Sequence, residues 1–160
     1  ALLTSATEGQ EWEERALVPT ATEAARGEAV PLDRMGHCVA AAGEGELLVF
    51  GGRTHPGRCF NDLLRVRVAD ATYEIVHTDG EAPPARWRHT FTYAGELDDA
   101  DDGDGDGPTR VYLVYGGWDG ARALGDAHAL LVGSRAGART YAWAPVGVEG
   151  DVPEGAGRFS

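Results

Sequence analysis

The segment LLVFGG, Leu47 to Gly52, returns later in the chain as YLVYGG, Tyr112 to Gly117, and its surroundings return with it. Each glycine pair is preceded by a proline, an arginine, a histidine and two alternating apolar runs. Each is followed by a polar loop, an aspartate (Asp62 or Asp126), a third run, a turn, an aromatic-led fourth run and a proline-to-arginine return. Such a unit reads as four short strands in roughly fifty residues before insertions, a length typical of sheet-forming repeats. One four-stranded sheet cannot bury both of its faces. A chain built this way must therefore stack its units against one another.

The strands are expected near 37–42, 46–51, 63–68 and 72–77, then 89–94, 110–115, 127–132 and 140–146. Consecutive four-stranded antiparallel sheets are the blades of a β-propeller, so the fold class is all-β, a propeller fragment with two complete blades and partial blades at both ends. Residues 1–33 are assigned to the last strand of a preceding blade, near 11–18, and a linker. Residues 34–85 form the first complete blade, 86–157 the second, with an acidic insertion at 96–108, and 158–160 open another.

These units resemble kelch repeats. That family carries a double glycine closing the second strand, an Asp before the third, an aromatic in the fourth, and an Arg and His at the start of the first. The matching residues are Arg34, His37, Gly51, Gly52, Asp62 and Tyr73 in one unit, and Arg86, His89, Gly116, Gly117, Asp126 and Trp143 in the next. Tyr73 departs from the usual tryptophan. These residues are the structural signature of the repeat, and His37 and His89, which recur at equivalent places in consecutive units, read as structural fixtures rather than as halves of a site.

Several chemistries find no support. The stretch Asp102 to Gly107 opens like a calcium-binding EF-hand loop, but the position of its bidentate acid falls on Leu113, so the insertion reads as a solvated loop. The histidines lack metal-ligand spacing, no nucleophile motif is present, and no phosphate loop follows the glycines. No metal, cofactor or catalytic residue is therefore expected in this segment. A net charge of -12 disfavours generic nucleic-acid binding. No apolar run reaches the ~20 residues that span a bilayer, so no membrane partner is expected. Two cysteines are too few for a disulfide framework, which suggests free thiols and a cytoplasmic setting.

All basic residues are arginine, and their positions carry the functional expectation. Arg34, Arg86 and Arg158 enter successive first strands, Arg88 follows Arg86, and Arg53, His55 and Trp118 follow the glycine pairs. Ringed around one end of a propeller, these guanidinium groups would hold a carboxylate or phosphate of a protein partner. The alternative is that the recurring arginines tie adjacent blades together. A narrower resemblance, carried by GGRTHP (Gly51 to Pro56), FND and PARWRHT, is to the kelch region of tRNA wybutosine-synthesizing methyltransferases. It implies an S-adenosylmethionine-dependent enzyme as parent and tRNA as a partner.

Overall fold

The computed structural model describes residues 2–4, 13–27, 30–43, 45–98 and 107–147. The centre of the acidic insertion and Arg158 lie outside the described residues. The protein is all-β, with strands β1 (Leu2–Thr4), β2 (Glu13–Arg15), β3 (Val18–Pro19), β4 (Cys38–Gly43), β5 (Glu46–Phe50), β6 (Arg53–His55), β7 (Arg58–Cys59), β8 (Leu63–Arg67), β9 (Thr72–Val76), β10 (Thr90–Leu97), β11 (Thr109–Tyr115), β12 (Ala127–Arg135) and β13 (Ala138–Val146). A short helix, α1 (Ala21–Arg26), follows β3. No helix among the described residues is long and apolar enough to cross a membrane.

Two sheets carry the repeat. The first runs β3-β9-β8-β5-β4 and the second β10-β11-β12-β13, antiparallel throughout except for β3. The eight expected strands are present, and in the second unit β10 runs on to Leu97, β12 runs on to Arg135 and β13 starts earlier, at Ala138. β3 makes the first sheet five-stranded, lying parallel to β9 with Val18 opposite Thr72. Asp79 does the same in the second unit, bridging Ala142 of β13 in parallel. The segment leading into each unit therefore lies along the outer strand of that unit.

Alternation places apolar residues on both faces of each sheet, and packing decides which face meets which. Ala40, Leu48, Phe50, Leu63 and Val76 of the first sheet form one core with Phe91, Tyr112, Val114, Leu130 and Trp143 of the second. Phe50 and Trp143 meet at 5.0 Å between ring centroids, a contact contributing about 1 kcal/mol beyond its burial. The row Leu47, Val66, Tyr73 occupies in the first sheet the register of Tyr112, Leu130, Trp143 in the second. Yet the first row faces away from the second sheet, against Leu17, Val30 and Leu32. The sheets thus stack front to back, and the contact surface of one is not the contact surface of the other. Leu48 is fully buried in the seam, whereas its equivalent Leu113, on the far face of the second sheet, is 38% exposed.

α1 was not foreseen in a segment read as strand and linker. Its signal is the capping pair Thr20 and Glu23: the Thr20 hydroxyl accepts from the Glu23 amide at 3.4 Å, and Gly27 closes the helix in the left-handed region.

Gly80 is the tightest point of the linker between the sheets. Asp79 N donates to Tyr141 O and Trp143 N donates to Asp79 O, both at 2.8 Å. Gly80 has φ +76°, and a Cβ there would lie 2.3 Å from Trp143 O. Gly80→Ala is expected to destabilise the fold by about 2 kcal/mol or more, since a backbone clash adds to left-handed strain. Gly45→Ala, at φ +70° with nothing within 4 Å, should cost only about 1 kcal/mol. Equal losses in urea unfolding would mean the linker is not locked onto β13.

Candidate functional site

At the end of the sheets where β4 and β10 begin, each unit repeats one hydrogen-bonded frame. Arg34 grips Asp62 through both terminal nitrogens, at 2.5 and 2.9 Å, and donates to Gly51 O at 3.0 Å. Arg86 grips Asp126 at 2.8 and 2.7 Å and donates to Gly116 O at 2.9 Å. The glycine pairs are needed here for two reasons. Gly51 and Gly116 hold φ of 67° and 65°, and a Cβ on Gly52 or Gly117 would come within 2.9 Å of the Cβ of His37 or His89 respectively.

The guanidinium groups of Arg34 and Arg86 are 2% and 0% exposed, so neither lies open on a rim. Their side chains brace the loops of their own unit. The backbone of Arg86 also joins the units: Gly52 N donates to Arg86 O at 2.8 Å, and Arg86 N donates to Phe60 O at 3.0 Å. The Arg86 hydrogen bonds, aided by His128, hold the Asp126 carboxyl down at about 2.

The two histidines of the frame differ. His89 is 4% exposed, set edge-on to Phe50 at 5.3 Å, with neither ring nitrogen hydrogen-bonded. Burial, then the charge of Arg86, pushes its pKa down to about 4. His37 is exposed. Partial burial still lowers its pKa.

Outside this frame lies a second pair of equivalent positions. Met35 and Arg53 exchange backbone hydrogen bonds at 2.9 and 3.0 Å; Trp87 and Trp118 do the same at 3.0 and 2.9 Å. The Arg53 guanidinium lies over the Trp87 ring at 3.7 Å, with that of Arg88 at 5.0 Å from the same ring. Arg88 N donates to Gly36 O at 2.7 Å, which fixes the return segment against the first unit. Arg88 is exposed, and Met35 is 57% exposed. His55 stands on the β6–β7 hairpin, exposed, its Nδ1 accepting from Gly57 N at 3.2 Å. The loop after β11 leans on that hairpin: a Cβ on Gly120 would lie 3.2 Å from Pro56 O. Asp119 organises this loop by accepting from the amides of Ala121 and Arg122, which lowers its pKa.

Arg53, Arg88, Trp118 and His55 therefore share one end of the molecule, while Arg34 and Arg86 sit beneath it as bracing. Trp87 and Met35 complete the surface and were not singled out from the sequence. Trp87 was legible only as the aromatic of PARWRHT, between two arginines. Tyr73 and Trp143 are core residues, at 5% and 4% exposure. Among the described residues no three His, Cys, Asp or Glu side chains group as metal ligands, and both cysteines are free thiols. No protein-family model matches the chain, and no curated protein matches it either.

Proposed function

We propose that this chain is part of a kelch-type β-propeller that serves as a cytoplasmic protein-interaction module, and that the Arg53–Trp87–Arg88–Trp118 end receives an acidic or phosphorylated segment of a protein partner. The observation that carries this reading is the contrast between the two sets of equivalent positions. Arg34/Arg86, Gly51/Gly116, Gly52/Gly117 and Asp62/Asp126 keep the same residue because the frame needs it. The bridge positions above them, Met35/Trp87 and Arg53/Trp118, share a backbone geometry and differ in side chain. A fold-maintaining position repeats its chemistry, whereas a recognition surface varies it on a constant scaffold.

Arginines stacked on an indole are held flat and partly desolvated. That pre-orients their N–H edges for carboxylate or phosphate and lowers the entropy lost on binding. The propeller part of the reading is supported by the front-to-back stacking of the two sheets, which leaves Leu113 exposed where its equivalent Leu48 is covered.

The test uses Arg53→Ala/Arg88→Ala in the full chain, against peptides bearing glutamate runs or phosphoserine. Affinity is expected to fall about ten- to hundredfold through loss of charge-assisted hydrogen bonds, with the thermal midpoint close to wild type. Added salt should weaken the wild-type complex. Unchanged affinity for every peptide the wild type binds would remove these arginines from the site. Tight tRNA binding with no peptide binding would replace this reading with that of a methyltransferase-associated module.

A further inference from the structure

α1 breaks the repeat. Fifteen residues lie between Val18 and Arg34 where six lie between Asp79 and Arg86, and the extra chain includes the helix. It lies against β9 at the outer edge of the seam between the sheets. There it borders a cleft of about 250 Å³ lined by Thr22, Glu23, Arg26, His77, Arg139 and Tyr141, among others.

Two buried polar atoms of this cleft are left without a hydrogen bond, Glu23 Oε2 and the Tyr141 hydroxyl. Glu23 is 2% exposed. The cations nearby are already engaged. Arg26 donates to Glu23 Oε1 at 3.2 Å and contacts His77 Nε2 at 3.3 Å, and Arg139 pairs across the seam with Glu46. Glu74, a second carboxylate on the lining, holds Arg65 at 2.9 Å. The Tyr141 hydroxyl lies beside the Arg139 guanidinium without a well-aligned bond. Glu23 Oε2 is therefore a spare acceptor, and the Tyr141 hydroxyl, which can both donate and accept, is unpaired beside it in the lining. An unmet buried carboxylate oxygen is also destabilising, so α1 is held in place at a local expense.

We propose that α1 is a movable lid on the seam, and that the cleft beside it binds an organic ammonium group, which enters when the helix shifts and donates to Glu23 Oε2 and the Tyr141 hydroxyl as the helix closes over it. Both acceptor atoms are closed to water with α1 in place, so entry of the ligand requires that shift. An ammonium suits the site better than a neutral donor because its bond to a carboxylate is charge-assisted. A six-residue helix is too short to be stable alone, and so can move at little cost.

The test measures hydrogen exchange of the α1 amides and the thermal midpoint of the full chain, with n-butylammonium chloride as the free ligand and a lysine-containing peptide as the protein-borne one. Binding should slow α1 exchange about tenfold at a ligand concentration ten times the Kd. Tetramethylammonium, which has no N–H, should leave exchange unchanged. Protection by the free amine alone assigns the site to a small molecule, and protection by the peptide as well assigns it to a partner's lysine. Glu23→Leu should abolish the protection and leave the thermal midpoint unchanged or higher, since it removes the orphaned oxygen and leaves only a half-exposed Arg26. A lowered midpoint in Glu23→Leu would make Glu23 an anchor and overturn the proposal, as would equal protection by tetramethylammonium or none by either amine.

Discussion

Asp126→Ala is expected to destabilise the protein by about 3–5 kcal/mol, clearly more than Arg86→Met, for which about 1–3 kcal/mol is expected. The two substitutions break the same bidentate pair, so a simple contact count would make them equal. They differ in what remains. Removing Asp126 strands a guanidinium that is fully buried, whereas removing Arg86 strands a carboxylate that is 37% exposed and keeps His128 at 2.9 Å. Water can solvate the second and cannot reach the first. Methionine also preserves most of the volume that the arginine stem fills. Urea unfolding of both variants reads the order directly, and the reverse order would mean that Asp126 is not the main partner of Arg86.

Stability should fall as pH drops from about 6.5 to about 4, by about 3 kcal/mol in total from His89. The folded-state pKa of this group is depressed below the unfolded value of 6.5. Between the two values the unfolded chain binds the proton and the folded chain does not, so acid favours unfolding throughout that window. Above pH 6.5 both states are neutral and His89 contributes no slope. His37, also lowered, adds to the loss in the same direction. Asp126 acts later, because its pairing is lost only as pH falls from the ordinary carboxylate range towards about 2. His89→Leu should flatten the stability curve between pH 6.5 and 4, with His37→Gln as the comparison. A His89→Leu curve as steep as wild type would place the acid lability elsewhere.

The strands and their order were legible because strand alternation and glycine turns are local. Each sheet needs only its own residues to declare period two and its own glycines to permit left-handed turns at Gly51 and Gly116. The recurrence of Arg34 with Asp62 and of Arg86 with Asp126 was equally plain. It marked these residues as a set without saying what they touch. α1 was legible in principle, through Thr20, Glu23 and Gly27, but a single-turn capping signal is weak beside two long β repeats.

By itself the sequence determined the all-β class, the two units, their strand order and the residues that had to recur. Only the tertiary structure decided which arginines face solvent, because Arg34, Arg53, Arg86 and Arg88 look alike along the chain. Their fates depend on what lies across from them: a carboxylate and a carbonyl for Arg34 and Arg86, an indole for Arg53 and Arg88. The same holds for Leu48 and Leu113, and for His37 and His89, equivalent pairs of which one member is buried and the other exposed. Period and turn chemistry are written within a few residues, while burial is a property of the neighbour, supplied from a distant part of the chain.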